Sequence, residues 1–385
     1  MNMLLVPFLF AMLFVFWIHP KLVRISLDKN IVDNPDSRKL QRKPIPVLGG
    51  VGVFFGIVAG IAAASFSIDC SALFVAVVAM IVMLYTGTTD DILDLSPWLR
   101  LAVEVSVALL LIYAGGYVID DFHGLWGIGR LPDYAAVPLT VISMVGIINA
   151  LNMIDGVDGL SSGLCIAASA MFGMMFYHVG DVPMAVLSAA VTGALIPFFL
   201  HNVFGSSSKM FIGDGGTYVM GVVMCVFVGR VLHNGSVCSE WSDSPSGLIA
   251  FALAVLSIPV FDTVRVMLMR IARGHSPFHP DKTHLHHLFI DMGFSHAATM
   301  LCIVLLDMSV VLCWWVMHRF SVSGDIRLYV VVGLGLAFTF LFYMYARMSQ
   351  MRNTWFYRMM CRIGELSRME KCQVFGRIRT VVDRF

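Results

Sequence analysis

Long runs of apolar residues alternate with short polar segments along most of the chain. A helix of about 20 apolar residues crosses the roughly 30 Å hydrocarbon core of a bilayer, whereas a transmembrane barrel shows segments of about ten residues with alternating polarity. The chain has the first pattern and lacks the second, so we predict an all-α, polytopic membrane bundle of about eleven transmembrane helices. The predicted spans lie near residues 3–19, 47–68, 71–88, 99–118, 136–153, 160–178, 183–200, 211–231, 246–268, 298–318 and 327–346.

The composition agrees with this prediction. Of the 385 residues, 58% are apolar and only 13% are charged, and the mean hydropathy is +0.82. Water-soluble domains carry roughly twice that share of charged residues. We therefore expect membrane lipids as neighbours and no nucleic-acid partner. The eight cysteines include no C-x-x-C pair, which argues against a zinc site or a disulfide framework.

The positive charges lie almost entirely on one side of the predicted spans. If the N-terminus is outside, the inner segments contain 22 of the 26 Lys and Arg residues. Cytoplasmic segments of membrane proteins carry such an excess, so we predict an outer N-terminus and a cytoplasmic C-terminus. No small-residue cleavage site follows the first span, which we expect to be uncleaved. The inner segments are residues 21–46, 89–100, 201–210, 265–298 and 347–385.

Residues 347–385 differ from the rest of the chain. They contain nine Lys or Arg residues, with Trp355, Phe356 and Tyr357 among them. A basic amphipathic helix of this composition binds anionic lipid headgroups. We therefore divide the chain into an integral membrane domain, residues 1–346, and a basic amphipathic cytoplasmic tail. The sequence leaves open whether the protein is a homodimer.

Five polar clusters fall at the inner ends of spans or in inner loops. A carboxylate at membrane depth is costly unless it is paired, hydrated or bound to metal. All five clusters are predicted on the same side of the membrane, although they come from distant parts of the chain. A site at the cytoplasmic boundary requires such an arrangement. The five are "RKLQRKPIPVLGG" (38–50), "TGTTDDILDLSPWLR" (86–100), "NALNMIDGVDGL" (149–160), "KMFIGDGGTY" (209–218) and "GHSPFHPDKTHLHHL" (274–288).

The acidic residues occur in two spacings. Asp90 and Asp91 are adjacent, so on a helix they point about 100° apart, and one can act while its neighbour orients. Asn152, Asp155 and Asp158 are three residues apart, which places them along one side of a predicted helix end. The glycines of this second motif would let another backbone or a ligand approach closely.

Asp214 lies in "GDGG", where glycines would again leave space beside an oxygen ligand. Several carboxylate and amide oxygens without a Cys partner suit a hard cation, and Mg²⁺ is commonly held by one or two carboxylates plus substrate phosphates. Each motif also has a simpler interpretation, because an isolated Asp before Gly commonly caps a helix or forms a turn. That alternative is strongest for Asp214 and weakest for "NMIDGVDGL", which has two acids and an amide at one span end.

His284, His286 and His287 lie close together in a predicted loop between the ninth and tenth spans. No Cys or Glu stands at ligand spacing for zinc, so contact with phosphate or sugar is the more economical interpretation. A solvated, inert loop is the alternative. Arg42 and Lys43, in "RKLQRK", would either bind substrate phosphate or only follow the positive-inside pattern.

Four motifs in this order, "DDILDLSP", "NMIDGVDGL", "FIGDGG" and "PFHPDKTHLHHL", resemble the polyprenyl-phosphate N-acetylhexosamine-1-phosphate transferase family. The H-x-H-H segment is similar to the bacterial undecaprenyl-phosphate GlcNAc-1-phosphate transferases rather than to the H-H-H branch that transfers phospho-MurNAc-pentapeptide. The resemblance implies a catalytic membrane domain with a cytoplasmic cleft, in the bacterial inner membrane. It also implies a Mg²⁺-dependent reaction, with Mn²⁺ as an alternative ion, in which undecaprenyl phosphate attacks the β-phosphate of UDP-GlcNAc and releases UMP.

The resemblance carries roles onto the matching positions. Asn152 and Asp214 would hold Mg²⁺. Asp90 and Asp91 would engage the lipid phosphate, and Asp155 would support the metal and the pyrophosphate. Phosphoryl transfer needs little covalent chemistry from the protein, because positioning and charge neutralisation do most of the work. The residues leave open whether Asp90 acts as a base or whether an aspartate forms a covalent intermediate.

The remaining roles concern the nucleotide and the sugar. By the same resemblance, Asp158 would contact uridine, and Arg100 would contact a phosphate. His284, His286 and His287 would contact the pyrophosphate and the sugar.

One position departs from the family pattern. Relatives commonly have His in R-K-x-H-x-x-P-x-P, where this chain has Gln41. The basic residues of the motif are kept, but the titrating side chain is not.

Two other functions are alternatives to this one. Intramembrane Asp and His residues form ion paths in transporters, but such a path needs polar residues at mid-span and on both sides of the membrane. The predicted outer loops, "DDFHGLWGIGRLP" and "HNGSVCSEWSDSPSG", show no cluster comparable to the inner ones. The second alternative is the same reaction with a different UDP-N-acetylhexosamine, which the sequence leaves open.

The charge distribution makes a direct prediction about topology. A reporter fused after Phe385 should be active only in the cytoplasm, and one inserted within residues 235–245 only outside, because positive segments are retained inside. The measurement is paired reporter activity, with one reporter that works in each compartment. Reversed signals would overturn the predicted placement of the site.

Overall fold

The computed structural model describes residues 2–34, 44–238, 247–277, 281–368 and 373–384. Most of them are helical, as the apolar pattern predicts, and a short antiparallel pair joins β1 (Val32–Asp33) to β2 (Ile45–Pro46). Within the described ranges the α-helices are α1 (Asn2–Asp28), α2 (Gly49–Ser65), α3 (Phe74–Leu93), α4 (Pro97–Tyr113), α5 (Asp133–Met153), α6 (Leu160–His178), α7 (Val182–Phe204), α8 (Gly213–Val231), α9 (Gly247–Val255), α10 (Ser257–Ala272), α11 (Leu285–Asp291), α12 (His296–Arg319), α13 (Gly324–Leu336), α14 (Phe342–Met351), α15 (Trp355–Leu366) and α16 (Gln373–Val382).

Every predicted span overlaps one of these helices or a consecutive pair. Among the described residues, eight helices are long and apolar enough to cross a membrane, or nine if one bent pair is counted as a span. Two further predicted spans coincide with α2 and α4, which have 17 residues each, near the lower limit of about 17 for a spanning helix. An all-α, multi-pass membrane protein therefore fits the structure, whereas the count of eleven and the orientation stay predictions.

The span predicted over residues 246–268 is broken in the structure. Two helices, α9 and α10, cover this region, with a bend of 77° between them. The break coincides with a buried carboxylate from α12. Asp307 Oδ1 accepts hydrogen bonds from Ser257 Oγ and from the Ile258 N–H, both at 2.9 Å. Because these groups open α10, Asp307 acts as the cap that allows a new helix to begin inside the bundle.

Contacts divide the chain into two units. The first contains Met1–Tyr117, Cys165–Phe227 and Gln373–Phe385. The second contains Val118–Leu164 and Val228–Cys372.

In the first unit, two glycine pairs let helices approach at backbone distance. A Cβ on Gly50 would lie 2.2 Å from the Gly216 nitrogen, and a Cβ on Gly87 would lie 2.4 Å from the Gly215 nitrogen. No side chain fits at either place, so α2 and α3 both rest on the first turn of α8. The Gly50 N–H also donates to the Ile212 carbonyl at 2.7 Å, which fixes the chain just before α8.

The second unit has an apolar core that joins the connection between α5 and α6 to α11, α12 and α14. Ile154, Val157 and Leu160, at every third position, are all buried in it. Leu285 and Leu288 of α11 belong to the same cluster. Two of the polar motifs are therefore anchored to one another through apolar neighbours.

The tail helices are amphipathic, and their apolar faces contact protein. Phe356 of α15 packs against the core of the second unit. Within the first unit, the ring centroids of Phe375 in α16 and Phe204 at the end of α7 are 4.8 Å apart. Binding of this tail to anionic headgroups stays a prediction.

The close approach of α3 to α8 predicts a specific sensitivity. Gly87→Ala should destabilise the protein by about 1–3 kcal/mol, because its new methyl group would overlap backbone that has no way to relax. Gly146→Ala is the matched control, since a Cβ at Gly146 on α5 would meet nothing within 4 Å. The measurement is the midpoint of thermal unfolding of the protein in detergent. A Gly87→Ala protein as stable as Gly146→Ala would contradict the packing described here.

Candidate active site

Asp90 lies on the last turn of α3 and is buried, with 5% of its surface exposed. Its Oδ1 accepts the Leu95 N–H at 2.8 Å, and its Oδ2 pairs with Arg100 Nη1 at 2.8 Å. A buried charge is costly unless it is paired, so Arg100 compensates this carboxylate. The ion pair joins the end of α3 to the start of α4 and holds the guanidinium in one place.

Asp91, the next residue, has a different partner. Both of its carboxylate oxygens accept the backbone N–H of Asp214, at 2.9 and 3.1 Å. Asp214 is in the first turn of α8, where backbone N–H groups lack partners within the helix. Asp91 therefore caps α8 from a neighbouring helix. The prediction that the adjacent acids point in different directions is confirmed.

From the sequence we expect the glycines of "GDGG" to leave space for a ligand. In the structure they do not. The space beside Gly215 and Gly216 is filled by α3 and α2. Gly213 has a left-handed φ of 69°, and a Cβ there would meet the Asp91 carboxylate. These glycines serve the packing of α8 and the approach of Asp91 to its N-terminus.

The motif "NMIDGVDGL" covers the end of α5 and the start of α6. Asn152 is helical, but α5 ends at Met153 and α6 begins at Leu160. Asp155 and Asp158 therefore lie in a non-helical connection. The prediction that all three line one side of a helix end is wrong.

The connection carries buried apolar residues beside its acids. Ile154 and Val157 are only 2% and 4% exposed and belong to the apolar core of the second unit. The acids occupy positions between them. Asp155 is held by Ser161, whose Oγ donates to its Oδ1 at 2.5 Å.

Asp158 is held by a histidine that the sequence analysis did not single out. Nδ1 of His296 lies 2.8 Å from Oδ2 of Asp158 and 3.4 Å from its backbone nitrogen. His296 is the first residue of α12, after the capping residue Ser295. An isolated His far along the chain carries no sequence signal that links it to Asp158.

The histidine segment is a short helix and not a loop. α11 begins at Leu285, with His284 at its N-cap position. Leu285, Leu288 and Phe289 recur at helical spacing and are buried, a pattern that was present in the sequence. The solvated-loop alternative is wrong, because His284 and His286 are only 4% and 2% exposed.

The three imidazoles lie together. The ring centroids of His284 and His286 are 5.6 Å apart, and those of His286 and His287 are 4.3 Å apart. Burial, with a smaller effect of the neighbouring histidines, lowers the pKa of His286 well below its usual range and the pKa of His287 to about 4. Both side chains are therefore neutral near pH 7 and offer hydrogen bonds rather than positive charge. His286 also touches "NMIDGVDGL", since a Cβ on Gly156 would lie 2.3 Å from its Nε2.

His284 has a partner that the sequence analysis also missed. Its Nδ1 lies 2.9 Å from Oδ2 of Asp262 on α10. Oδ1 of Asp262 accepts from Arg265 Nη2 at 2.6 Å, and the same nitrogen donates to the Thr283 carbonyl at 2.7 Å. An Asp followed three residues later by an Arg in an apolar run has the spacing of a helical ion pair, so a signal for it exists in the sequence.

A second arginine of α10 holds the start of this segment. Arg270 donates from Nε and Nη2 to the two oxygens of Asp281, at 3.1 and 2.9 Å. Burial would raise the pKa of Asp281, but the hydrogen bonds from Arg270 and Thr283 outweigh it and hold that pKa at about 2. Asp281 therefore remains ionised and bound to α10.

The predicted site residues fall into two groups, one in each unit. Among the described residues, no set of three or more His, Cys, Asp or Glu side chains forms a metal-binding cluster. Arg42 and Lys43 lie outside the described residues. The group in the first unit is Asp90, Asp91, Arg100 and Asp214. The group in the second unit is Asn152, Asp155, Asp158, His284, His286 and His287.

Residues 73–231, from the start of α3 to the end of α8, match the family described as glycosyl transferase family 4. The chain is 30% identical over 307 residues to the "Probable undecaprenyl-phosphate N-acetylglucosaminyl 1-phosphate transferase" of Bacillus subtilis, covering 80% of this chain and 82% of that protein. It is 31% identical over 304 residues to the undecaprenyl-phosphate alpha-N-acetylglucosaminyl 1-phosphate transferase of Yersinia pestis, covering 77% and 79%. The protein of the same name from Escherichia coli K12 is 28% identical over 305 residues, covering 77% and 78%.

These likenesses extend over about four-fifths of each chain. The chain therefore belongs to glycosyl transferase family 4.

Proposed function

We propose that this protein transfers N-acetylglucosamine 1-phosphate from UDP-GlcNAc to undecaprenyl phosphate and releases UMP. An oxygen of the lipid phosphate attacks the β-phosphorus of the nucleotide sugar, the bond from that phosphorus to the UMP oxygen breaks, and a lipid-linked sugar pyrophosphate remains. The observation that carries the proposal is the likeness, over most of the chain, to relatives named for this transfer. The same likeness to bacterial proteins supports a place in the inner membrane. That the site faces the cytoplasm is part of the proposal, and the distribution of positive charges along the sequence supports it.

The group in the first unit suits the binding of phosphate. Arg100 is held by Asp90 before any substrate arrives, so its remaining N–H donors are oriented without a further entropic cost. Both oxygens of Asp90 already have partners, the Leu95 N–H and Arg100, and the residue is 5% exposed. We therefore assign Asp90 first to the positioning of Arg100.

The same group suits a divalent cation. Asp90 is paired with Arg100, the charge of Asp214 also acts on that guanidinium, and Asp91 is bound to the backbone of Asp214. The group therefore has three carboxylates and one guanidinium, an excess of negative charge where a phosphate must bind. Mg²⁺ takes oxygen ligands and usually keeps one or two carboxylates together with water and substrate phosphates, so it requires no cage of protein ligands. Within this group Asp214 would hold the ion, and the family resemblance assigns the same role to Asn152. A bound Mg²⁺ would neutralise the charge of the pyrophosphate.

The group in the second unit suits the nucleotide sugar. His286 and His287 are neutral and offer hydrogen bonds to phosphate or sugar oxygens. His284 differs from them because it is bonded to a carboxylate. Asp155 and Asp158 are oriented by Ser161 and His296, respectively.

The proposed reaction is tested with purified protein, undecaprenyl phosphate, Mg²⁺ and a panel of UDP-sugars. We expect UMP release with UDP-GlcNAc, no release without the lipid phosphate, and loss of activity after chelation of divalent ions. The measurement is UMP formed per unit time, with mass spectrometry of the lipid product. Release with another UDP-N-acetylhexosamine alone would assign a different sugar, and release with none would refute the transferase.

A Mg²⁺ titration can distinguish the role of the proposed metal ligands, Asp214 and Asn152, from the role of Asp90, the partner of Arg100. Asp214→Asn and Asn152→Ala should raise the Mg²⁺ concentration needed for half-maximal UMP release, with Asp214→Asn the more severe because it also removes a charge. Asp90→Asn should lower turnover at saturating Mg²⁺ without a comparable change in metal requirement, because its loss falls on the transition state. If excess Mg²⁺ rescues Asp90→Asn while Asp214→Asn has a normal metal requirement, the two roles are exchanged.

A further inference from the structure

Asp262 is a buried carboxylate inside α10, with 1% of its surface exposed. Each of its oxygens has a side-chain partner. Arg265 Nη2 lies 2.6 Å from Oδ1, and His284 Nδ1 lies 2.9 Å from Oδ2. The Leu285 N–H, at the start of α11, donates to the same Oδ2 at 3.2 Å. One carboxylate therefore fixes both the imidazole of His284 and the backbone that follows it.

The pairing with Arg265 decides which group donates. Arg265 is fully buried, and its guanidinium is always protonated, so Asp262 is the ionised partner that balances this charge. An ionised carboxylate has no proton to give. The bond to His284 must therefore be donated by Nδ1–H, which leaves Nε2 as the only ring nitrogen that can make a second bond.

This arrangement sets His284 apart from its neighbours. Among the described residues, neither His286 nor His287 has a carboxylate within hydrogen-bond distance. Nδ1 of His286 is buried and has no hydrogen-bond partner among the same residues. A carboxylate behind an imidazole fixes its tautomer and its orientation and stabilises the imidazolium form. Among the three histidines, His284 is the one whose ring is held by a carboxylate.

We propose that Asp262 is a positioning residue for the transfer reaction and acts through His284, holding Nε2 of that ring toward the phosphate groups of the nucleotide sugar. Arg265 supports it by neutralising the buried carboxylate and by binding the Thr283 carbonyl. The assignment rests on the proposed function, since it gives His284 its task in that reaction. Asp262 itself would make no contact with substrate.

The test compares two buried aspartates in the purified protein. Asp262→Asn should lower kcat about 10- to 100-fold, the usual loss when the partner behind a functional histidine is removed. Asp307→Asn is the matched control: it is equally buried and lies against the first residues of the same α10, but it contacts no histidine of the site. We expect Asp307→Asn to keep kcat within about threefold of wild type, whatever its effect on the melting temperature.

A double-mutant cycle separates positioning from mere stability. If Asp262 acts through His284, Asp262→Asn combined with His284→Asn should be no slower than His284→Asn alone. Independent, multiplicative losses would overturn the proposal, and so would an Asp262→Asn enzyme with wild-type kcat. Wild-type protein that releases no UMP would instead refute the proposed function, so the two failures are distinguishable.

A measurement on the wild type covers the case in which Asp262→Asn does not fold, since that change leaves Arg265 buried without its counter-charge. In protein labelled with ¹⁵N-histidine, the His284 signal is the one that is missing from His284→Asn. The proposal requires that this signal show a protonated Nδ1. A ring protonated at Nε2 only would overturn it.

Discussion

The requirement that each buried carboxylate has a fixed partner determines much of this structure. In an apolar bundle an unpaired buried charge costs several kcal/mol, so an Asp there is kept only where another group compensates it. Asp90 is bound to Arg100 and Asp262 to Arg265, whereas Asp307 accepts hydrogen bonds from the first residues of α10. Each of these contacts also fixes a piece of backbone: the turn into α4, the start of α11 and the bend before α10. At Asp90 and Asp262 the ion pair removes an electrostatic penalty and also positions a residue of the site, Arg100 or His284.

Close helix packing complements this requirement. Gly50 and Gly87 let α2 and α3 rest on the backbone of α8, where Gly215 and Gly216 face them. A side chain at these positions would push the helices apart and move the Asp91 carboxylate away from the N-terminus of α8. The capping bond from Asp91 therefore depends on residues that have no chemistry of their own. This is why the glycines and the acids occur together in the motif.

Much of the fold and of the site could be predicted from the sequence, and the failures have a common cause. Apolar runs of membrane length mark α1, α3 and α5 directly, because hydropathy is a local property. The 77° bend was missed because its cause, Asp307, lies about fifty residues away on another helix. The pairing of Asp158 with His296 was missed for the same reason. Asp262 and α11 are different cases, because their signals are local: an i, i+3 spacing of Asp262 and Arg265, and Leu and Phe at helical spacing beside the histidines.

The connection between α5 and α6 shows how an apolar core can present acids without a helix. A helix would have placed Asn152, Asp155 and Asp158 on one face and left their backbone N–H groups internally bonded. Instead, the segment is non-helical, and Ile154, Val157 and Leu160 anchor it in the apolar core, with a few local backbone hydrogen bonds between them. That anchoring leaves the intervening positions to the carboxylates, while Gly156 admits His286 beside them. Since phosphoryl transfer depends on positioning more than on covalent help, a segment fixed by its apolar residues and free to present polar ones is well suited to it.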